Sequence, residues 1–168
     1  AVQVPVLVDR PWDGVPRKLM LWANRNGYFY VLDRTDGEFL LGEPFVRVNW
    51  SSGLDAQGRP IPTPQPDGEP TWPGNQGGTN WYPPSYSPTT DLFYFSAWED
   101  YATIYHAEEQ EYTPGELFTG GSFSVLSPAP GAPTIGIGRT SPINNWTDAV
   151  GHGALIAMDP DTGTPAWK

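Results

Sequence analysis

Three side chains have types and settings that suit chemistry on a bound molecule: Arg25 in the run Arg25-Asn26-Gly27, and Asn80 and Trp81 in Gly77-Gly78-Thr79-Asn80-Trp81-Tyr82. A fixed guanidinium stabilises negative charge that develops on oxygen in a dry pocket. An asparagine amide offers both a donor and an acceptor. A tryptophan provides a flat surface on which a planar heterocycle can stack. Each residue also has a plainer reading. On spacing alone Arg25 is a surface turn residue, Asn80 holds its own loop in a left-handed turn after Gly77-Gly78, and Trp81 fills a core between packed sheets. His106 and His152 stand alone, without the His or carboxylate spacing of a transition-metal site, and read as ordinary loop hydrogen-bonders. Glu108, Glu109 and Glu111 read as a solvated loop rather than a metal site. There is no Gly-x-Ser-x-Gly nucleophile motif, no phosphate-binding glycine loop and no cysteine.

The elements that must position these residues are strands. A strand, turn, strand pattern occurs twice: Val31-Leu32-Asp33-Arg34-Thr35-Asp36-Gly37, and Ala157-Met158-Asp159-Pro160-Asp161-Thr162-Gly163 followed by Trp167. In each copy an apolar strand runs into an Asp-rich turn closed by Gly, as a tight hairpin requires. Leu41 stands in the first copy where the second has Trp167. Strands are expected at 3–8 and 18–23, joined by a turn around Pro11 to Pro16, and at 28–33 and 38–42, which makes one four-stranded sheet. Ser85–Ser87 and Leu92–Ala97 start a second sheet that resumes at 153–158 and 164–168. Between these, 46–81 carries too much Pro, Gly and Gln for regular strands, although Trp50, Trp72 and Trp81 suggest that it packs onto something. Within the 98–152 interruption Leu117–Thr119 could pair with Ser122–Leu126, and Pro128–Pro133 is a connector. A hairpin sheet cannot bury both faces alone, and stacking sheets around an axis, as in β-propellers, solves that problem.

Composition agrees with an all-β chain rich in loops. With 19 Gly and 20 Pro, and no sustained helical spacing of apolar residues, helix should be minor. The 8 Trp, 8 Tyr and 7 Phe argue against disorder, because disordered segments lack such bulky groups. A net charge of −10 weighs against nucleic acid and anionic membrane as partners. No stretch is long and apolar enough to span a bilayer, and no export signal is visible at Ala1, so the chain reads as an interior piece of a longer polypeptide. Asn145 lies in a formal glycosylation sequon, Asn145-Trp146-Thr147, read as chance.

The segments Arg25 to Gly37, Gly77 to Tyr82 and Ala157 to Trp167, in this order and with these strands between them, resemble the quinoprotein alcohol dehydrogenases. The resemblance covers nearly the whole chain. It implies part of an eight-bladed β-propeller, with 1–45 as one blade, 46–81 as a long insertion near the cofactor, and 82–168 as the next blade, interrupted at 98–152. It implies pyrroloquinoline quinone and Ca²⁺ as cofactors, with Arg25 and Asn80 facing the quinone and Trp81 in the pocket wall. Trp167 would be the closing residue that docks between neighbouring sheets. The general-base Asp is expected upstream of residue 1, and neither Asp9 nor Asp13 sits in its motif, so no catalytic residue and no metal ligand is assigned to this chain. Substrates would be alcohols, the electron acceptor a cytochrome c, the partners the remaining propeller blades, and the compartment the periplasm. Trp50, Trp98 and Phe123 are candidates for the pocket mouth. Alone, two sheets of a ring should be inactive and poorly stable, because both inter-blade faces are uncovered.

Two other classes remain open in the sequence. A non-catalytic propeller scaffold has no reason to bring Arg25 and Asn80 to one place, and a carbohydrate-binding β-domain predicts a row of exposed rings on one face.

Overall fold

A computed structural model of the chain describes residues 3–124 and 152–168. These residues form strands and turns, with no helix among them. The first sheet is an antiparallel meander, β1 (Val6–Trp12), β2 (Val15–Ala23), β3 (Tyr28–Asp33) and β4 (Phe39–Pro44), paired in that order. Further along are β5 (Ser51–Leu54), β6 (Pro60–Pro62), β7 (Pro70–Thr71), β8 (Ser85–Ser87), β9 (Leu92–Glu99), β10 (Thr103–Ala107), β11 (Gly121–Ser124), β12 (His152–Met158) and β13 (Pro165–Trp167). The second four-stranded sheet has the order β13-β12-β9-β8, so β9 pairs across the whole interruption with β12, from His152 opposite Glu99 to Met158 opposite Phe93.

The repeated Asp turn has the same geometry in both copies. In the first, Asp33 N–H donates to Glu38 O (2.9 Å), Gly37 N–H to Asp33 O (2.8 Å) and Thr35 N–H to Asp33 Oδ1 (2.9 Å). In the second, Asp159 N–H donates to Thr164 O (3.0 Å), Gly163 N–H to Asp159 O (2.9 Å) and Asp161 N–H to Asp159 Oδ1 (2.8 Å). Both closing glycines have positive φ, 84° and 65°, where a side chain would be strained. Leu41 pairs with Val31 and Trp167 with Ala157, so the two residues hold equivalent register positions.

Alternation on β9 sends Phe93, Phe95 and Ala97 inward. They meet Leu19, Leu21, Phe29 and Val31 of the first sheet, with Ile156 and Met158, in one apolar core. Phe29 lies 5.3 Å from Phe93, and Phe45 packs edge-on to Phe95 at 4.9 Å between ring centroids. The Asp-turn end of the sheets is clasped by Arg10, whose guanidinium binds both oxygens of Asp161 at 2.7 and 2.8 Å and reaches Asp91 at 2.8 Å. At the same end Leu41 lies against Gly163, where an added Cβ would come within 2.9 Å of Leu41 Cδ2. The two sheets therefore lie with matching ends together, which leaves the β2–β3 turn and Arg25 at the other end.

Three sequence expectations are corrected. The β1–β2 turn is only Asp13-Gly14, both at positive φ (50° and 77°), with Pro11 and Pro16 paired inside the strands. The prolines are tolerated there because β1 is an edge strand and β3 reaches only to Leu19 of β2. The segment 46–81 does contain strands: β5 and β6 form a hairpin on Asp55 and Gly58, and β7 pairs with β10. Its punctuation is absorbed by side chains, with Asn49 holding Pro70 O (2.9 Å) and the Trp72 amide (2.8 Å). Finally, β11 pairs with β10, not with Leu117–Thr119. The connector Pro128–Pro133 and the sequon at Asn145 lie outside the described residues, as does the side chain of Phe123.

Asp33 adds a pH dependence to the first turn. Its carboxylate accepts from the Thr35 hydroxyl (2.6 Å) and amide (2.9 Å) and lies 3.2 Å from the Arg17 guanidinium, and these lower its pKa in that order of importance. Because folding lowers this pKa, the stabilisation is fully present above the unfolded value of about 3.9 and disappears as pH falls through the lower folded value. Denaturant midpoints measured from pH 7 to pH 2 should fall less steeply for Asp33→Asn than for the native sequence. Parallel curves would contradict this.

Candidate functional site

Arg25 lies at the tip of the β2–β3 turn, which its own asparagines shape: Asn24 accepts from Gly27 N–H (3.1 Å), and Asn26 Oδ1 accepts from Tyr28 N–H (3.0 Å). Gly27 has φ 97° and is packed under Val46, Val48 and Pro73, so the turn is pinned to the chain that follows β4. Here Arg25 is half-buried rather than a free surface side chain. Its carbonyl accepts from Gly78 N–H at 3.0 Å, and its guanidinium Nη2 donates to the carbonyl of Asn75.

Asn80 reaches the same place. It is buried, its Nδ2 donates to Gln76 O at 2.9 Å, and its Oδ1 accepts from Trp81 N–H at 3.0 Å. The loop 74–80 thus accepts from Arg25 at Asn75 and from Asn80 at Gln76, adjacent carbonyls. The loop is held from below by Gly78 O, which accepts from Trp98 N–H (2.8 Å), and by the Thr79 hydroxyl on Ser96 O (2.6 Å). The sequence-read pair is therefore brought to one end of the sheets. Capacity remains for a ligand. Among the described residues, the guanidinium uses one of its donors, on Asn75, and the Asn80 amide engages one N–H and one lone pair, which leaves further donors and an acceptor.

Trp81 is not in a core between the two sheets. It is 68% exposed and stacks on Tyr82, with 5.2 Å between centroids and 23° between planes. Tyr82 continues to Trp98 and Trp98 to Tyr101, at 6.2 and 5.9 Å. Trp50 instead supports the Arg25 turn, edge-on to Tyr28 at 6.3 Å with its indole N–H toward Asn26 O at 3.3 Å. His106 lies 3.6 Å from Asp67 on an exposed hairpin, and the described residues contain no cluster of three His, Asp or Glu able to hold a metal ion.

Two residues tied to Arg25 escaped the sequence reading. Asn75 carries the carbonyl that accepts from the guanidinium, and Thr103, fully buried on β10, is bonded to Asn75 twice, accepting from its N–H at 2.9 Å and donating to its Oδ1 at 3.2 Å. Beyond them the Tyr105 hydroxyl is pushed up in pKa by burial, offset in part by its bond with Thr103 and by the positive charge of Arg25. The available signal was weak: a short run of strand-forming residues, Thr103-Ile104-Tyr105, inside a segment dominated by loop residues.

No protein-family model matches the chain. Among curated proteins, it is 34% identical over 177 residues to the 1-butanol dehydrogenase (cytochrome c) of Thauera butanivorans, covering 97% of this chain and 23% of that protein. It is also 34% identical over 175 residues to the quinohemoprotein alcohol dehydrogenase of Comamonas testosteroni, covering all of this chain and 23% of that one. Among solved structures, the quinohemoprotein alcohol dehydrogenase ADHIIG of Pseudomonas putida HK5 superposes with a TM-score of 0.79 at 27% identity, over 98% of this chain and 24% of that one. A europium-containing methanol dehydrogenase gives 0.75 at 26% identity, over 98% and 27%. The chain spans about a quarter of the length of the proteins it matches. Its two stacked four-stranded sheets are thus part of a β-propeller, and the chain belongs to the quinoprotein alcohol dehydrogenase family.

Proposed function

We propose that the polypeptide carrying this chain oxidises alcohols to aldehydes with pyrroloquinoline quinone, and that this chain supplies the Arg25 and Asn80 side of the quinone pocket. The observation that carries this reading is the convergence of those two side chains on one loop through Asn75 and Gln76. Bound pyrroloquinoline quinone supplies the acceptor for the two electrons and two protons released when an alcohol becomes an aldehyde. Arg25 presents a fixed cation where negative charge develops on oxygen, held by Asn75 so that little reorganisation is needed. Asn80 orients the ring through its spare donor and acceptor. Trp81, exposed beside Asn80, offers a stacking surface and completes the pocket wall.

Calcium belongs to this reading only at the level of the whole enzyme. The described residues provide no carboxylate cluster for it, so no step here runs through the ion. The proposal extends to a cytochrome c acceptor, as in the name of the Thauera butanivorans relative, and to a periplasmic compartment. It also extends to a docking role for Trp167. That residue is 47% exposed on β13 beside Tyr94, while Leu41, its register equivalent, already packs on Gly163 of the second sheet. By the same geometry Trp167 would meet a further blade.

The test is alcohol-dependent dye reduction by the full-length polypeptide supplied with pyrroloquinoline quinone and Ca²⁺. Turnover that requires the quinone is expected. A folded, quinone-free protein with no quinone-dependent turnover on any short-chain alcohol would overturn the proposal.

A further inference from the structure

The interruption that splits the second sheet looks dispensable to the cofactor site, yet its strand β10 is wired directly to Arg25. Thr103 is completely buried and exchanges two hydrogen bonds with Asn75, which in turn accepts from the Arg25 guanidinium through its backbone carbonyl. The glycines between leave no slack. A Cβ on Gly74 would fall 2.6 Å from Thr103 Oγ1, and one on Gly77 would fall 2.6 Å from the Arg25 carbonyl oxygen and clash with its side chain. Gly77 N–H also donates to Gly74 O at 2.8 Å, and Gly74 N–H to Tyr101 O at 3.0 Å. The loop 74–77 is therefore a close-packed wedge with Thr103 on one side and Arg25 on the other.

We infer that Thr103, acting through Asn75, is a positioning residue that sets where the Arg25 guanidinium stands. This rests on the proposed quinone-facing role of Arg25. A long arginine side chain has several rotatable bonds and loses much entropy when fixed. A carbonyl acceptor helps only if it is itself immobile. The backbone of Asn75 belongs to a loop, and the reciprocal bonds from a strand residue are what anchor it. The interruption thereby contributes to the site from behind, by fixing a charge, in addition to whatever it contributes at the mouth. Tyr105, bonded to Thr103 and within the field of Arg25, lies along the same line.

The experiment uses the full-length polypeptide, titrated with pyrroloquinoline quinone and followed by the quinone absorption spectrum, with thermal midpoints and alcohol KM measured alongside. Thr103→Val keeps the shape and removes the hydroxyl. It removes both bonds to Asn75 and is expected, through the loosened arginine, to weaken quinone affinity by about three- to tenfold, to shift the bound spectrum, and to leave the alcohol KM unchanged. Thr103→Ser should restore affinity to within about twofold, since it retains the donor and acceptor. Asn75→Ala, on the half-buried loop, removes the Oδ1 end of the link and should weaken quinone affinity about two- to fivefold, which decides the matter if Thr103→Val does not fold. Native affinity and spectrum in both Thr103→Val and Asn75→Ala would overturn the inference. So would equal losses in Thr103→Val and Thr103→Ser that track the thermal midpoint, which mark a purely structural residue. Arg25→Ala separates the two claims. If it leaves quinone binding untouched, the functional reading itself fails. If it weakens binding while the Thr103 and Asn75 variants do not, only the positioning role fails.

Discussion

Replacing Arg25 by alanine in the full-length protein is expected to lower kcat by about 10²–10³-fold, the loss typical of removing one preorganised donor from a developing oxyanion. Alcohol KM should change little, because in the proposed role the guanidinium would act on charge that appears in the transition state rather than on the bound alcohol. Arg25→Lys should recover only part of the rate, since an ammonium cannot both hold the Asn75 carbonyl and present a planar fork to a second acceptor. Steady-state kinetics with saturating quinone check both variants, and a native kcat in Arg25→Ala would remove this residue from the chemistry. The fold gives grounds to expect a specific effect. The turn that carries Arg25 keeps its own hydrogen bonds through Asn24, Asn26 and the backbone, none of which uses the guanidinium.

The largest effect on stability should come from Phe29→Ala. Phe29 has no exposed surface and its ring lies 5.3 Å from that of Phe93, so it joins the two sheets at the centre of the core. Truncation of a buried Phe costs about 3–5 kcal/mol in transfer and cavity terms together. That is a large share of the about 5–15 kcal/mol by which a domain is stable. Its cross-strand partner Ala23 and its ring neighbour Phe93 come from paired strands whose ladders fix their positions, so collapse around the void is restricted. Urea denaturation of the full-length protein measures the difference, and a loss below about 1 kcal/mol would mean that the site relaxes, contrary to the packing described.

The strands around this core were legible because they obey local rules. Val31-Leu32-Asp33 and Ala157-Met158-Asp159 announce strand then turn, and the turns prove identical down to the hydrogen bond from residue i+2 to the Asp carboxylate. Asp13-Gly14 carried an equally good hairpin signal, but the flanking Pro11 and Pro16 obscured it, since a proline's compatibility with a strand depends on which neighbours that strand has. The strands at 51–54, 60–62 and 70–71 were hidden for a different reason. They are two to four residues long and are ordered by side chains such as Asn49 rather than by any periodic pattern.

The site divides in the same way. Arg25 and Asn80 stood out because their turn contexts are distinctive and because the whole segment resembles a known family. Asn75 and Thr103 did not, because what matters about them is a backbone amide and a side-chain amide oxygen held by a hydroxyl 28 residues away. Trp81 shows the limit from another side: its residue type suits a core or a pocket wall equally, and only the fold places it on the surface next to Asn80.

Arg25 and Asn80 are proposed to face a quinone together, and a crystal structure of the full-length protein with pyrroloquinoline quinone bound tests this. The quinone oxygens should lie within hydrogen-bonding reach of both the Arg25 guanidinium and the Asn80 amide, with Asn75 still holding the arginine. A quinone bound elsewhere, with both side chains engaged only with their own loop, would contradict it.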